Sequence, residues 1–110
     1  MSPDNNLKPG DVYWLVSASG EGHEQLGRRP ALIVTDSRLT SLGLTWIVPL
    51  TTTDRGWPVH VRVHFDKGVS VAMCEQLRSI SVERLGRLAG SIPYDELLDV
   101  RSKIRDIVGH

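Results

Sequence analysis

Val59-His60-Val61-Arg62-Val63-His64-Phe65 alternates apolar and polar side chains without a slip. Successive side chains of a strand point to opposite faces. Val59, Val61, Val63 and Phe65 therefore share one face, and His60, Arg62 and His64 the other. The segment predicts a half-buried strand with a basic outer face. Downstream, Val69 to Met73 and Glu75 to Ile80 continue the β pattern, and Leu85 to Ala89 adds a short strand. Upstream, Leu44 to Leu50 is an apolar run. Pro49 within it argues for an edge position or a bulge, because proline has no N–H to give to a ladder. Pro30 to Val34 reads as a buried strand opened by its proline. Pro9-Gly10-Asp11 is a turn signal ahead of a strand at Val12 to Val16.

The tail has another period. Leu97, Val100, Ile104, Ile107 and Val108 recur at helical spacing, with Asp95, Glu96, Asp99, Arg101, Lys103, Arg105 and Asp106 around the other side. Pro93 suits the first turn, and Asp95 and Glu96 suit the positive end of the dipole. The N-cap position falls on Ile92, and Gly109 is a fitting stop. Six or seven short strands followed by one helix predict a mainly β domain with a C-terminal α-helix, built as a small half-open barrel or curled antiparallel sheet. Residues 1–7 read as a flexible leader and 8–110 as a single domain. Ser17 to Gly27 is a polar loop with three glycines, long enough to suggest a functional role.

The 110 residues, 40% hydrophobic and 24% charged, suffice for one core without disulfide staples. Cys74 is the single cysteine, so no intrachain disulfide can form; the count suits a reducing cytoplasm. Its setting in an apolar strand predicts a packed core thiol. No apolar stretch approaches the roughly 20 residues of a membrane span, and the polar Met1 to Lys8 has no secretory h-region. Thirteen basic side chains balance thirteen acidic ones. Residues 1–54 carry a net −2, residues 55–90 a net +3 and residues 91–110 a net −1. By itself the middle island reads as an ordinary solvated surface.

Few chemistries fit the side chains. His60 and His64 would lie about 13 Å apart along a strand, too far to share an ion. No glycine-rich phosphate loop precedes a Lys-Ser or Lys-Thr pair. Three polar clusters remain. Gly22-His23-Glu24-Gln25-Leu26-Gly27-Arg28-Arg29-Pro30 sets Arg29 at the entrance of a buried strand. Thr51-Thr52-Thr53 sets hydroxyls at the end of another, within reach of a phosphate. Glu75-Gln76-Leu77-Arg78 alternates polar groups about Leu77. Each alone reads as surface.

Taken in order, these pieces resemble the MazF/PemK toxins. The likeness runs from Lys8-Pro9-Gly10-Asp11-Val12-Tyr13-Trp14 through Gly22 to Gln25 and Gly27 to Val34. It continues through Val48-Pro49-Leu50-Thr51, Trp57-Pro58-Val59-His60-Val61, Ser70-Val71-Ala72, Glu75 to Ile80 and Arg84-Leu85-Gly86 to the terminal helix. The resemblance implies an SH3-like half-open barrel of the CcdB/PemK kind, assembled as a homodimer in the cytoplasm and not on a membrane. It implies sequence-specific, metal-independent cleavage of single-stranded RNA without a cofactor, leaving a 2′,3′-cyclic phosphate and a 5′-hydroxyl. It also implies a cognate antitoxin whose acidic, disordered tail competes for the RNA groove.

By position, the catalytic arginine is Arg29 and the catalytic threonine Thr51. Arginine, with a pKa above about 12, suits charge stabilisation better than proton transfer. Glu24 is a candidate to orient Arg29 or take the 2′-proton. His60 is assigned to RNA contact, and Gln25, Trp57, Gln76 and Arg78 to base recognition. Trp14 and Trp46 are assigned to the core or a dimer interface. Two rivals use the same fold: a CcdB-like gyrase inhibitor and a non-catalytic SH3-like adaptor. Neither needs Arg29 and Thr51 together.

Overall fold

The computed structural model describes residues 7–16 and 29–109. The strands are β1 (Asp11–Leu15), β2 (Pro30–Ile33), β3 (Leu44–Thr51), β4 (His60–Phe65), β5 (Gly68–Met73), β6 (Arg78–Ser81) and β7 (Leu85–Ser91). Short 3-10 turns cover Ser37–Leu42, Cys74–Gln76 and Val82–Arg84, and one helix, α1 (Tyr94–Val108), closes the chain. The strands pair antiparallel in the order β4-β5-β3-β2-β1-β7, with β6 also on β3. No pairing joins β4 to β7, so the barrel is half open. The alternation at 59–65 is realised one residue short, from His60.

Two apolar clusters hold the sheet. Val12, Leu32, Val48, Leu50, Val63 and Phe65 pack with Leu97 and Val100 of α1. Tyr13, Leu15, Ala31, Ile33, Ile47 and Ile80 form the second cluster on the opposite face. Strands β1 to β3 are thus covered on both sides, which is why they read as apolar runs rather than alternating ones. Each fully buried aliphatic side chain contributes about 1.5–3 kcal/mol. Leu7, assigned to the leader, is buried in the second cluster and belongs to the packed domain. Gly10 turns the chain into β1 with φ at 96°, and its N–H donates to the Ile33 carbonyl at 2.8 Å.

Pro49 does not mark an edge. β3 is the most shared strand, pairing with β2 on one side and with both β6 and β5 on the other. The Trp46 carbonyl faces β2, where it accepts the Val34 N–H at 3.1 Å. Backbone groups alternate in direction along a strand, so the nitrogens of residues 47, 49 and 51 face the other side. There the β6 register ends at Ile47 and the β5 register starts at Leu50. Pro49 stands in the gap between two partners, where no donor is wanted. The chain crosses this gap through the 3-10 turn Cys74–Gln76, between β5 and β6.

Four other sequence expectations need correction. Cys74 and Gln76 lie in that 3-10 turn and not on a strand, although Cys74 is buried as expected. Trp46 is half exposed, which removes the core and leaves the dimer interface of the two settings expected for it. Pro93, not Ile92, occupies the N-cap position, and no side chain caps the helix. Leu97 and Val100 are buried, but Ile107 and Val108 face outward, so only the first turns of the apolar stripe dock. The helix is fixed by Arg101, which donates to the Val34 carbonyl through Nε at 3.2 Å and Nη2 at 2.9 Å. Glu96 adds a second tie, accepting the His64 backbone N–H at 2.6 Å and pairing with the His64 ring.

Candidate functional site

The register of β2 and β3 places Ala31 opposite Pro49. Continued by two residues, it sets Arg29 opposite Thr51. On the other flank the Leu15 N–H donates to the Arg29 carbonyl at 3.1 Å, which pins the backbone of Arg29 to β1. Opposing residues at such positions have Cα atoms about 4.5–5.5 Å apart, so side chains on one face meet. Arg29 and Thr51 accordingly line one groove of about 500 Å³. The Thr53 N–H donates to Thr51 Oγ1 at 3.1 Å. With its oxygen accepting that bond, the Thr51 hydroxyl keeps its proton to offer elsewhere.

The opposite wall comes from the β4–β5 hairpin and the turn after it. Asp66 and Lys67, with φ of 57° and 64°, form a two-residue turn that fixes His60 opposite Met73. Two residues beyond Met73, Glu75 lines the same groove. His60 Nε2 sits 3.1 Å from Glu75 Oε1 and 3.2 Å from Oε2, so its N–H is shared by both oxygens. The His60 side chain is only 4% exposed, against 27% for Glu75. His60 therefore does not lie on a basic outer face. The start of β4 is folded under Trp57, whose ring centroid is 5.1 Å from the imidazole at a tilt of 33°. His60 Nδ1 is buried without a hydrogen-bond partner. With Nδ1 offered no partner and Nε2 set against the carboxylate, Nε2 is the ring nitrogen that donates.

Trp57 is half exposed, with the Arg55 guanidinium 5.7 Å from its ring centroid. Gln76 lines the groove as well. Arg78 does not: it opens β6 opposite Ile47, away from Arg29. Glu24 and Gln25 lie outside the described residues. The basic island of residues 55–90 is dispersed. Arg55 lines the groove, but Lys67 lies by the hairpin turn and Arg84 is bound to the Val16 carbonyl at 3.2 Å. Glu75 was not singled out from sequence. The available signal was the turn Asp66-Lys67, because once that turn is fixed, His60 and the residues after Met73 must meet.

Beside the groove, the Asp54 carboxyl is held below the ordinary carboxylate range, first by the Gly56 N–H and then by Arg62. Behind it, burial and then the Glu75 charge push the Cys74 thiol up to about 11. That is a packed thiol and not a nucleophile.

A half-open β-barrel carrying a polar, partly cationic groove is thus the framework this chain builds. It belongs to the family of PemK-like, MazF-like toxins of type II toxin–antitoxin systems, whose model matches residues 8–108. The endoribonuclease toxin MazF of Escherichia coli (strain K12) is 29% identical over 102 residues, covering 91% of this chain and 92% of that protein. The crystal structure of MazF from Deinococcus radiodurans superposes with a TM-score of 0.77 at 32% identity, covering 94% of this chain and 97% of that one. A MazE–MazF complex from the same organism superposes at 0.75 with 28% identity, covering 94% and 95%. No helix among the described residues is long and apolar enough to cross a membrane.

Proposed function

We propose that this chain is the toxin of a type II toxin–antitoxin pair and an endoribonuclease that cuts single-stranded RNA in the Arg29–Thr51 groove. The observation that carries the reading is the meeting of those two side chains across neighbouring strands in one groove. In the reaction the ribose 2′-hydroxyl attacks the adjacent phosphorus, charge builds on the non-bridging oxygens, and the 5′-oxygen leaves with a proton. The Arg29 guanidinium is a planar fork of donors suited to those oxygens. The Thr51 hydroxyl adds a neutral hydrogen bond. Donors aimed at developing charge are worth about 3 kcal/mol each.

Protons need a second device. Among the described residues Glu75 is the carboxylate that lines the groove, and His60 lies behind it with its N–H on both oxygens. Glu75 takes the 2′-proton, the departing 5′-oxygen takes a proton from water, and His60 holds the carboxylate in place. Such general acid–base work is worth about 10²–10⁴ in rate. The steps so written use no metal. The partner proposed is an antitoxin with an acidic tail, a reading supported by the MazE–MazF complexes of relatives. A homodimer is proposed as the assembly, with half-exposed Leu44 and Trp46 on one face of β3 at the contact. A monomer in sedimentation at micromolar concentration would refute that.

The deciding assay incubates purified protein with a mixed-sequence RNA in EDTA. Cleavage is expected, with 3′ ends carrying cyclic phosphate and 5′ ends that ligate only after a kinase adds phosphate. Intact RNA, or cleavage that returns only with added metal, overturns the reading.

A further inference from the structure

A smaller cavity adjoins the groove and shares its wall. Trp57 and His60 line both spaces, and Asp54, Gly56, Arg62 and Val71 complete the smaller one. Its volume is about 190 Å³, below the roughly 300 Å³ at which pockets begin to hold drug-sized ligands. The space suits a single base beside the reacting phosphate. Its polar groups are arranged in advance. Asp54 Oδ1 accepts the Gly56 N–H at 2.9 Å, and Oδ2 accepts Arg62 Nε at 3.0 Å. Each carboxylate oxygen keeps one free lone pair, and Arg62, its Nε engaged, keeps its terminal N–H donors. The pair therefore offers acceptor, acceptor and donor side by side.

We propose that this cavity reads guanine in the RNA substrate, with Asp54 and Arg62 as the specificity-determining pair; the inference rests on the RNA cleavage proposed above. Guanine alone among the four bases shows two adjacent donors and then an acceptor on its Watson–Crick edge: N2–H, N1–H and O6. Adenine and cytosine each place an acceptor beside the amino group. Uracil has one donor between two acceptors. A carboxylate beside a guanidinium matches guanine and leaves the other three with an unsatisfied or repelling contact. Unpaired bases of single-stranded RNA present this edge freely. The shared wall of Trp57 and His60 places the base next to the phosphate that Arg29 and Thr51 engage. The Gly56 N–H and then Arg62 hold Asp54 in its ionised form, so it accepts and does not donate.

The test maps cut sites by sequencing fragment ends from a long mixed RNA, using the full chain, Asp54→Asn and Arg62→Gln. Wild type is expected to hold guanine at one fixed position flanking the cut. Each variant should lose that preference by about tenfold. Substituting inosine, which lacks the N2 amino group, should slow wild type severalfold and leave Asp54→Asn unaffected. A map with no guanine position, or one that Asp54→Asn leaves intact, overturns the proposal. Binding of uncleavable 2′-deoxy oligonucleotides, with guanine or inosine at each position, is read in parallel by tryptophan fluorescence. Guanine-dependent binding lost in Asp54→Asn, from a protein that cuts no RNA, would keep the subsite and reject the nuclease. Binding indifferent to guanine rejects the subsite whether or not RNA is cut.

Discussion

Replacing Arg29 with alanine separates chemistry from folding. The residue is exposed, and its tie to β1 runs through its backbone carbonyl, which alanine retains. No core contact is lost, so the stability change should stay within about 0.5 kcal/mol. For a domain of this size that is a melting shift of about 2–4 °C or less. The rate should respond very differently. Losing one donor to the developing charge costs about 3 kcal/mol, or roughly a hundredfold at 1.4 kcal/mol per factor of ten. If both arms of the fork are engaged, the loss approaches about 10⁴-fold. Lysine keeps the charge but not the planar fork, so Arg29→Lys should fall between alanine and wild type. The assay is single-turnover cleavage of an end-labelled oligoribonucleotide with enzyme in excess, beside a thermal melt of each variant. An alanine variant within threefold of wild type would show that Arg29 does not act on the phosphate. Lost activity accompanied by a melt many degrees lower would make it a folding residue instead.

Three further outcomes follow from other parts of the molecule. Glu75→Gln and His60→Gln should each slow cleavage about 10²–10⁴-fold, and the double variant should be no slower than the worse single one; additive losses in single-turnover kinetics would deny that they work as a unit. Thr45 is fully buried in β3, and its hydroxyl has no hydrogen-bond partner. An unsatisfied buried hydroxyl costs about 1–3 kcal/mol, so Thr45→Val should raise the melting temperature by several degrees, and an equal or lower value in calorimetry refutes this. With its thiol pushed up to about 11, Cys74 should be roughly one part in a thousand thiolate at pH 8. A chromogenic disulfide reagent should then react only on the unfolding timescale, and rapid modification of native protein would contradict it.

The strands were legible because their burial is periodic. His60 to Phe65 shows one face, while Pro30 to Ile33 and Leu44 to Thr51 show the unbroken apolar run of strands covered twice. Arg29 and Thr51 were assigned only through resemblance; their meeting depends on a register that no spacing in the chain announces. His60 was misplaced because alternation gives the face of a strand but not the cover that Trp57 lays over it. Glu75 was missed because its direction is set by a 3-10 turn, and that turn exists only because β5 and β6 occupy different stretches of β3.

That division of β3 has a price in robustness. At Val48 and Pro49 no strand lies on the side of β3 away from β2, and the turn bearing Glu75 bridges that opening. A variant that zipped the seam shut, with β5 running straight on into β6, would gain ladder bonds and harden the molecule. It would also withdraw the carboxylate and fill the space proposed for the phosphate. Evolution toward greater rigidity is therefore blocked at one address, and selection for thermal resistance should find its gains elsewhere in the barrel.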